Sequence, residues 1–391
     1  MLASPQHGAA DVRGTGQVDP VKPAARVAIL TTVVIVILLA VEGLASLVVV
    51  GRLALDEGQV LAERRHVEYD AELGWINLPN VFVRDMYGPG VSLRTNAQRF
   101  RNDRTFPQAV PSGRVRLICS GDSFTLGYGV SNGNAWCNAL EKIDARFETL
   151  NMGQGGYGVD QAWLWYKRDG AILDHDVHLF SFIADDFSRM RRPTFLGYGK
   201  PVLVVDKGQL AVGNVPVPNQ STLGLRLRNA SRALNRLRMA ELVNELLWGP
   251  VEPPASLPSP ILPVADDDPL RPVVEKVFES LRDLQAQKGR VLILAYLPGE
   301  EEYGSTKPER WRAFVHDATE RLGIPLIDLV PELNAVSRQD AGAFFFKVGE
   351  LPYFGSEGHY TVRGNAFIAQ ALHKKLLAIE AVAAKLRAIT E

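Results

Sequence analysis

The chain has 391 residues, of which 46% are hydrophobic and 22% are charged, and its formal net charge at pH 7 is -1. This composition is ample for a sizeable core and excludes wholesale disorder. Because basic residues are neither in excess nor strongly clustered, we predict no nucleic-acid partner.

Residues 1–25 are polar and rich in glycine, proline and alanine, which predicts a flexible tail. Residues 27–50 are almost all apolar, and Glu42 is the only charged residue among them. A helix of that length reaches about 36 Å, enough to cross a hydrocarbon core of about 30 Å. A cleaved signal peptide has a shorter apolar core, and no convincing cleavage site follows Val50. We therefore predict an uncleaved transmembrane signal anchor at 27–50.

The basic residues on the two sides of this segment nearly balance, so the positive-inside rule does not decide its orientation. A short N-terminal tail before a large C-terminal domain favours export of that domain. We expect a single-pass protein of the cytoplasmic (inner) membrane, with the tail at 1–25 in the cytoplasm and the large domain periplasmic or extracellular.

Residues 52–110 are predicted to form a β-rich juxtamembrane lead-in with turns, and residues 111–391 the main domain. In the main domain, apolar runs predict strands at 115–119, 149–152, 177–183, 291–296 and 325–329. Helical spacing of apolar residues predicts helices at 134–147, 159–168, 271–288, 307–322 and 364–388. This alternation predicts an α/β fold with a parallel sheet covered on both faces.

Residues 190–268 do not follow this alternation and are predicted to be an insertion over the rim of the sheet. The segment contains a hairpin of residues 201–205 and 209–212, an amphipathic helix at 225–247 and a proline-rich run at 250–263. Such an insertion is a candidate lid or substrate-shaping element.

The turn Gly121-Asp122-Ser123 follows the first predicted strand of the main domain. Reactive groups of open parallel sheets gather at the carboxyl ends of the strands. Ser123 can therefore project its hydroxyl and its N–H into the crevice at this edge. An ordinary strand-to-helix turn capped by Asp or Ser is the alternative. The G-x-S-x-G elbow is absent, which excludes the α/β-hydrolase form of a serine triad.

Two further loops follow later predicted strands. Residues 151–158 include several glycines, whose N–H groups can form an oxyanion hole. A nucleotide-binding loop is the alternative, although the acidic residue expected after the next strand is not clear. Asp185 and Asp186 follow the third strand, and they either bind a metal or cap the next turn.

A base for Ser123 is found by elimination among the seven histidines. His359 lies in a loop just before the last predicted helix, opposite the serine loop. The other histidines fall in the tail, beside the anchor, at the start of a strand or inside helices: His7, His66, His175, His178, His316 and His373. The alternative for His359 is a structural residue at a helix cap.

Cys119 and Cys137 are the only cysteines, so a disulfide scaffold is excluded by count. A single disulfide in an exported domain and two separately buried thiols both remain open. We favour the buried thiols because cysteine packs well as a small hydrophobe.

The order of these loops over about residues 69–380 resembles the SGNH/GDSL hydrolase family. The segment Tyr69-Asp70-Ala71-Glu72-Leu73-Gly74-Trp75 is similar to the lead-in of membrane-anchored bacterial members. Gly121-Asp122-Ser123 matches the first family block, and Gly156 lies five residues after Asn151, as in the second block. His359 followed by a helix rich in small residues is similar to the last block.

The resemblance implies a flavodoxin-like three-layer sandwich with a central parallel sheet. It implies Ser123 as the nucleophile and His359 as the base, with the N–H groups of Ser123 and Gly156 as oxyanion donors. The family's third oxyanion donor is an asparagine, and the matching position holds Asp185. An ionised carboxylate there repels an oxyanion, and loss of one donor costs about a hundredfold or more in rate.

The family's aspartate three residues before the histidine is replaced by Ser356, and Glu357 is the acidic residue expected to orient the imidazole. The implied activity is that of an esterase acting on an acylated small molecule or an extracytoplasmic glycan, with no metal and no cofactor. An O-acyltransferase acting on an exported polysaccharide uses the same residues. A catalytically impaired glycan-binding or assembly protein is a third hypothesis, which Asp185 motivates.

Overall fold

The computed structural model describes residues 22–55, 61–195, 197–219, 268–305 and 310–389, without the side chains of 49–55. These residues fall into two compact units, of which one holds the N-terminal helix and the other begins at Leu61. Residues 1–21 of the predicted tail at 1–25, the predicted helix at 225–247 and the proline-rich run at 250–263 lie outside the described residues.

The first unit contains helix α1 (Pro23–Leu55). Within Pro23–Val48, a stretch of 18 residues has a mean hydropathy of 2.7, and none of that stretch is buried. Among the described residues this is the one helix that is long and apolar enough to cross a membrane. A single-pass anchor and a signal sequence both have these properties. The helix begins at Pro23, so the last residues of the predicted tail are helical.

The strands of the second unit, in chain order, are β1 (Val67–Asp70), β2 (Gly74–Asn77), β3 (Phe82–Val83), β4 (Leu93–Arg94), β5 (Val115–Gly121), β6 (Phe147–Gly153), β7 (Val177–Phe182), β8 (Thr194–Phe195), β9 (Tyr198–Gly199), β10 (Val202–Asp206), β11 (Gln209–Gly213), β12 (Val291–Tyr296) and β13 (Leu326–Asp328). Its helices are α2 (Ser123–Leu126), α3 (Trp136–Ile143), α4 (Val159–Trp165), α5 (Ala184–Arg189), α6 (Arg271–Gln287), α7 (Arg310–Leu322), α8 (Val330–Asn334), α9 (Arg338–Gly342), α10 (Val362–Ala378) and α11 (Glu380–Ala388).

Five strands form one parallel sheet in the order β6-β5-β7-β12-β13, which is the flavodoxin-like order. Residues of β5, β6 and β7 are buried along their whole length, as expected for strands covered on both faces. The predicted α/β fold with a central parallel sheet is thereby confirmed. Gly121 and Gly153 pair at the carboxyl ends of β5 and β6, so the two loops that follow these strands begin side by side.

The sheet separates two apolar layers, which makes the three-layer sandwich. On one face, Ile118 of β5 packs in a core formed with α4, α6 and α7. On the other face, Leu117 and Cys119 of β5 pack in a core formed with α3, α10 and α11. Cys119 and Cys137 are both free and buried in this second core, as we favoured from the sequence. They are not separate, however, because the two thiols interact with each other.

The lead-in is β-rich, as predicted. Strands β1 and β2 form an antiparallel hairpin, and β3 pairs with β4. Leu73, Trp75 and Ile76 are buried in the same core as residues of α4 and α6, so this part of the lead-in packs as part of the main domain. Arg101 is fully buried, and its guanidinium donates to the carbonyl oxygens of Leu126, Gly127 and Val130, at and just beyond the end of the Ser123 helix.

The predicted hairpin of the insertion is present as β10 and β11, which pair antiparallel around Lys207 and Gly208. The predicted helix at 364–388 is interrupted: Ile379 is extended, and α11 starts after it. This break directs Val382 and Leu386 into the core. The predicted helix at 134–147 ends at Ile143, because Asp144 is extended and Phe147 already begins β6.

Candidate active site

Ser123 lies at the first position of α2, directly after β5. The Asp122 carboxylate caps this short helix by accepting a hydrogen bond from the Phe124 N–H at 2.9 Å. Gly121 is required by close packing, since a Cβ there would lie 2.5 Å from the carbonyl oxygen of Ser181. The turn therefore holds Ser123 at the carboxyl edge of the sheet, where only 4% of its surface is exposed.

His359 lies in the loop before α10 and reaches Ser123 from the opposite side. Its Nε2 is 2.8 Å from Ser123 Oγ. Main-chain hydrogen bonds on both sides of the histidine hold this loop to Phe346: the Phe346 N–H donates to the His359 carbonyl at 2.8 Å, and the Gly358 N–H donates to the Phe346 carbonyl at 2.9 Å. The structure thus brings together the two residues that the sequence singled out as nucleophile and base.

The Ser356 carbonyl determines which nitrogen of His359 carries the proton. His359 Nδ1 lies 3.1 Å from this carbonyl oxygen. A carbonyl can only accept, so Nδ1 carries the proton and Nε2 is the acceptor. The Ser123 hydroxyl therefore donates to Nε2, which is the arrangement that a general base needs.

Glu357 was predicted to orient the imidazole. The observed acceptor of the Nδ1–H is instead the main-chain carbonyl one residue earlier, at Ser356. Glu357 acts on the ring through its negative charge, which raises the pKa of His359 less than Asp122 does. Its orienting role stays a prediction.

Burial determines the acid–base properties of His359. Burial lowers the pKa of His359 to about 4, and the negative charge of Asp122 is the largest opposing effect. The imidazole is therefore neutral at pH 7 and can accept a proton.

Two aromatic rings that sequence reasoning missed enclose the imidazole. Phe124 stacks on one side at 4.8 Å between ring centroids, and Tyr128 stacks at 4.5 Å. Their signal in the sequence is the pair of aromatic residues one and five positions after Ser123. Stacking holds the ring plane in the orientation that directs Nε2 at the serine.

Asn151 joins the serine loop (residues 120–127) to the glycine loop (residues 151–158). Its side-chain Nδ2 donates to the Thr125 carbonyl at 2.9 Å, and its Oδ1 accepts from the Gly153 N–H at 2.9 Å. Gly156 follows with a φ of +75°, a backbone conformation that favours glycine. Within the described part of the chain, the N–H groups of Ser123 and Gly156 have no hydrogen-bond acceptor, so both can serve as donors to a ligand.

Asp185 and Asp186 lie in the first turn of α5, after β7. Asp186 is buried and accepts a hydrogen bond from the Ile183 N–H at 3.1 Å, so it caps α5, which was one of the two predicted roles. Burial and the nearby charge of Asp122 raise the pKa of Asp186 well above its usual value. Asp185 is half-buried, and its predicted place in the oxyanion hole stays a prediction. No cluster of three potential metal ligands occurs among the described residues.

Arg189 is a residue of the site that sequence reasoning missed. Its Nη1 donates to Asp186 at 2.5 Å, to the Tyr157 carbonyl at 3.0 Å and to Asp122 at 3.3 Å. One guanidinium thus ties together the serine loop, the glycine loop and α5. Its spacing of three from Asp186, on the same face of a helix, was the available signal.

A second serine–histidine contact lies inside the domain. Ser120 Oγ is 2.7 Å from His178 Nε2, and both residues are at most 1% exposed. His178 stacks on Tyr166 at 3.5 Å. Because Ser120 lies within β5 and His178 within β7, this pair belongs to the core of the sheet.

No known protein-family model matches the chain, and no curated protein is similar to it. Solved structures similar to it include a member of the lipolytic G-D-S-L protein family from Veillonella parvula, at 15% identity, covering 66% of this chain and 97% of that chain, with a TM-score of 0.33. A lipase/acylhydrolase from Enterococcus faecalis has 11% identity, coverages of 68% and 96% and a TM-score of 0.37. The acetyl xylan esterase AlAXEase has 11% identity, coverages of 67% and 99% and a TM-score of 0.36.

Proposed function

We propose that this chain is a serine esterase that removes ester-linked acyl groups from an extracytoplasmic glycan. The contact between Ser123 Oγ and His359 Nε2 at 2.8 Å carries the proposal. A nucleophilic serine and its base must lie within hydrogen-bonding distance, and the base must be neutral and correctly oriented. The Ser356 carbonyl and the two stacked rings support that orientation.

The reaction is acyl transfer through a covalent intermediate. His359 Nε2 takes the proton of Ser123 while Oγ bonds to the ester carbonyl carbon, and the N–H groups of Ser123 and Gly156 donate to the oxyanion. The imidazolium then protonates the leaving alcohol as its C–O bond breaks. Water attacks the acyl-enzyme by the same steps, releasing the acid and restoring the serine. Asp122 and Glu357 favour the imidazolium through their negative charge.

The location of the reaction rests on the N-terminal segment. With the apolar helix Pro23–Val48 as a single-pass anchor, the short tail before it favours a large domain outside the cytoplasm. A domain anchored there meets acylated surface glycans, which supports a glycan as the substrate class. No step in the scheme needs a metal ion or a cofactor.

An O-acyltransferase is the second candidate, and the burial of the reacting pair favours it. Ser123 and His359 are only 4% and 9% exposed. Restricted access of water lengthens the life of an acyl-enzyme, so that a bound sugar hydroxyl can accept the acyl group.

Release of acetate from an acetyl ester by the full chain in detergent tests the proposal. Ser123→Ala is expected to abolish the activity, since loss of the nucleophile costs about 10⁶-fold in comparable enzymes. Ser120→Ala is the matched control, because it removes another serine hydroxyl that contacts a histidine, and it should retain activity. Equal rates in the wild type and Ser123→Ala would rule out both enzyme functions. Transfer to an added oligosaccharide that outpaces hydrolysis would identify the transferase.

A further inference from the structure

Trp75 connects the lead-in to the glycine loop. It ends the sequence motif at residues 69–75, to which the catalytic scheme gives no role. Trp75 is fully buried, and its indole N–H donates to the carbonyl oxygen of Gly155 at 2.9 Å. This bond joins β2 of the lead-in to the loop that carries Gly156.

The peptide between Gly155 and Gly156 has a fixed internal geometry. In a trans peptide the carbonyl and the following N–H point in opposite directions. A donor that holds the Gly155 carbonyl on one side therefore directs the Gly156 N–H to the other side. Since both residues are glycines, side-chain sterics do little to hold this peptide, and an external contact must do so.

Trp75 is itself held rigidly against the same loop. The Tyr157 hydroxyl donates to the Trp75 carbonyl at 2.5 Å, and the two rings meet edge-to-face at 5.4 Å. The Gln161 side chain donates to the Leu73 carbonyl at 2.7 Å. Hydrogen bonds thus join the lead-in to the residues on both sides of Gly156, namely Gly155 and Tyr157.

Resting on the proposed esterase function, we propose that Trp75 is a positioning residue that presets the Gly155–Gly156 peptide, so that the Gly156 N–H faces the oxyanion formed at Ser123. A donor that is already oriented stabilises the transition state without reorganisation during the reaction. The lead-in that follows the predicted anchor is therefore part of the catalytic apparatus.

Trp75→Phe in the full chain tests this role, because it removes the indole N–H and keeps an aromatic ring. The matched control is Trp163→Phe. Trp163 is also buried, at 3% exposure, and its indole N–H donates to Ser280 Oγ at 3.3 Å on α6. For Trp75→Phe we expect kcat to fall about 100-fold, as for loss of one oxyanion donor, with KM changed less than about threefold. Trp163→Phe should keep both constants near those of the wild type.

A boronic acid inhibitor, which forms a tetrahedral adduct on serine, separates positioning from general loosening. Its affinity for Trp75→Phe should weaken in proportion to kcat. If Trp75→Phe does not fold, Tyr157→Phe, which frees the Trp75 carbonyl, is expected to lower kcat about tenfold with KM unchanged. If Trp75→Phe has the same kcat as Trp163→Phe, or binds the boronic acid as tightly as the wild type, the proposed role of Trp75 is overturned. If Tyr157→Phe is used instead, an unchanged kcat overturns it. Activity that survives Ser123→Ala overturns the proposed function instead.

Discussion

The pH dependence of hydrolysis tests the assignment of His359 as the base. Burial lowers its pKa from the ordinary 6.5 to about 4. The difference corresponds to about 3 kcal/mol by which the folded protein disfavours the imidazolium. A base must be neutral to accept the serine proton, so kcat/KM is expected to rise with pH through about 4. It should already be constant between about pH 5.5 and 7.

The same experiment separates the roles of Ser356 and Glu357. The Nδ1–H donates to the Ser356 carbonyl, and the negative charge of Glu357 raises the pKa of His359. Glu357→Gln should therefore lower kcat at pH 7 less than about tenfold and move the acid limb slightly to lower pH. A triad acid that orients its histidine is worth about 10⁴-fold instead. Glu350→Gln, on the same loop, is the control for a lost exposed carboxylate.

Acetate release from a neutral acetyl ester is measured at constant ionic strength from pH 3.5 to 8. Tryptophan fluorescence at each pH verifies that the protein remains folded. An acid limb centred near pH 6.5 would refute a buried, neutral His359. A 10⁴-fold loss in Glu357→Gln would show that the carboxylate, and not the carbonyl, orients the ring.

Three further predictions concern the oxyanion site and stability. Asp185→Asn should raise kcat about a hundredfold, because an amide donates where a carboxylate repels, and an unchanged kcat would mean that this side chain does not face the oxyanion. Lys200→Met leaves its fully buried partner Asp160 unpaired and should lower the free energy of unfolding by about 3–5 kcal/mol in urea titrations. The more exposed pair of Lys276 and Glu279 serves as the control. A loss in Lys200→Met as small as the one in Lys276→Met would contradict this reasoning. The free energy of unfolding should also fall as pH drops below about 6.5, because histidines take up protons in the unfolded chain but stay neutral where burial lowers their pKa in the folded protein. Each such histidine lowers the free energy of unfolding by up to about 1.4 kcal/mol per pH unit. The histidines concerned are His66, His175, His178 and His359. A urea midpoint that is the same at pH 7 and pH 5 would contradict this prediction.

Much of the fold was readable from the sequence because its signals are local. Continuous apolar runs predicted the five strands of the sheet, and helical spacing predicted the covering helices to within a few residues. The turn at Ser123 and the loop at His359 were also recognisable, since their residue types stand at the ends of these elements. The break at Ile379 was missed, because nothing in the helical spacing of its neighbours predicts an extended residue there.

The contacts that orient the reacting groups depend on residues far apart in the chain. Phe124 and Tyr128 enclose His359 across 235 and 231 positions of sequence, and Trp75 reaches Gly155 across 80. The acceptor of the imidazole proton is a main-chain carbonyl, a group that every residue has and that no side-chain pattern can identify. The sequence by itself determined which residues could react, because reactivity belongs to side-chain type. Only the tertiary structure decided what holds them in place, because orientation comes from packing and main-chain hydrogen bonds between distant segments.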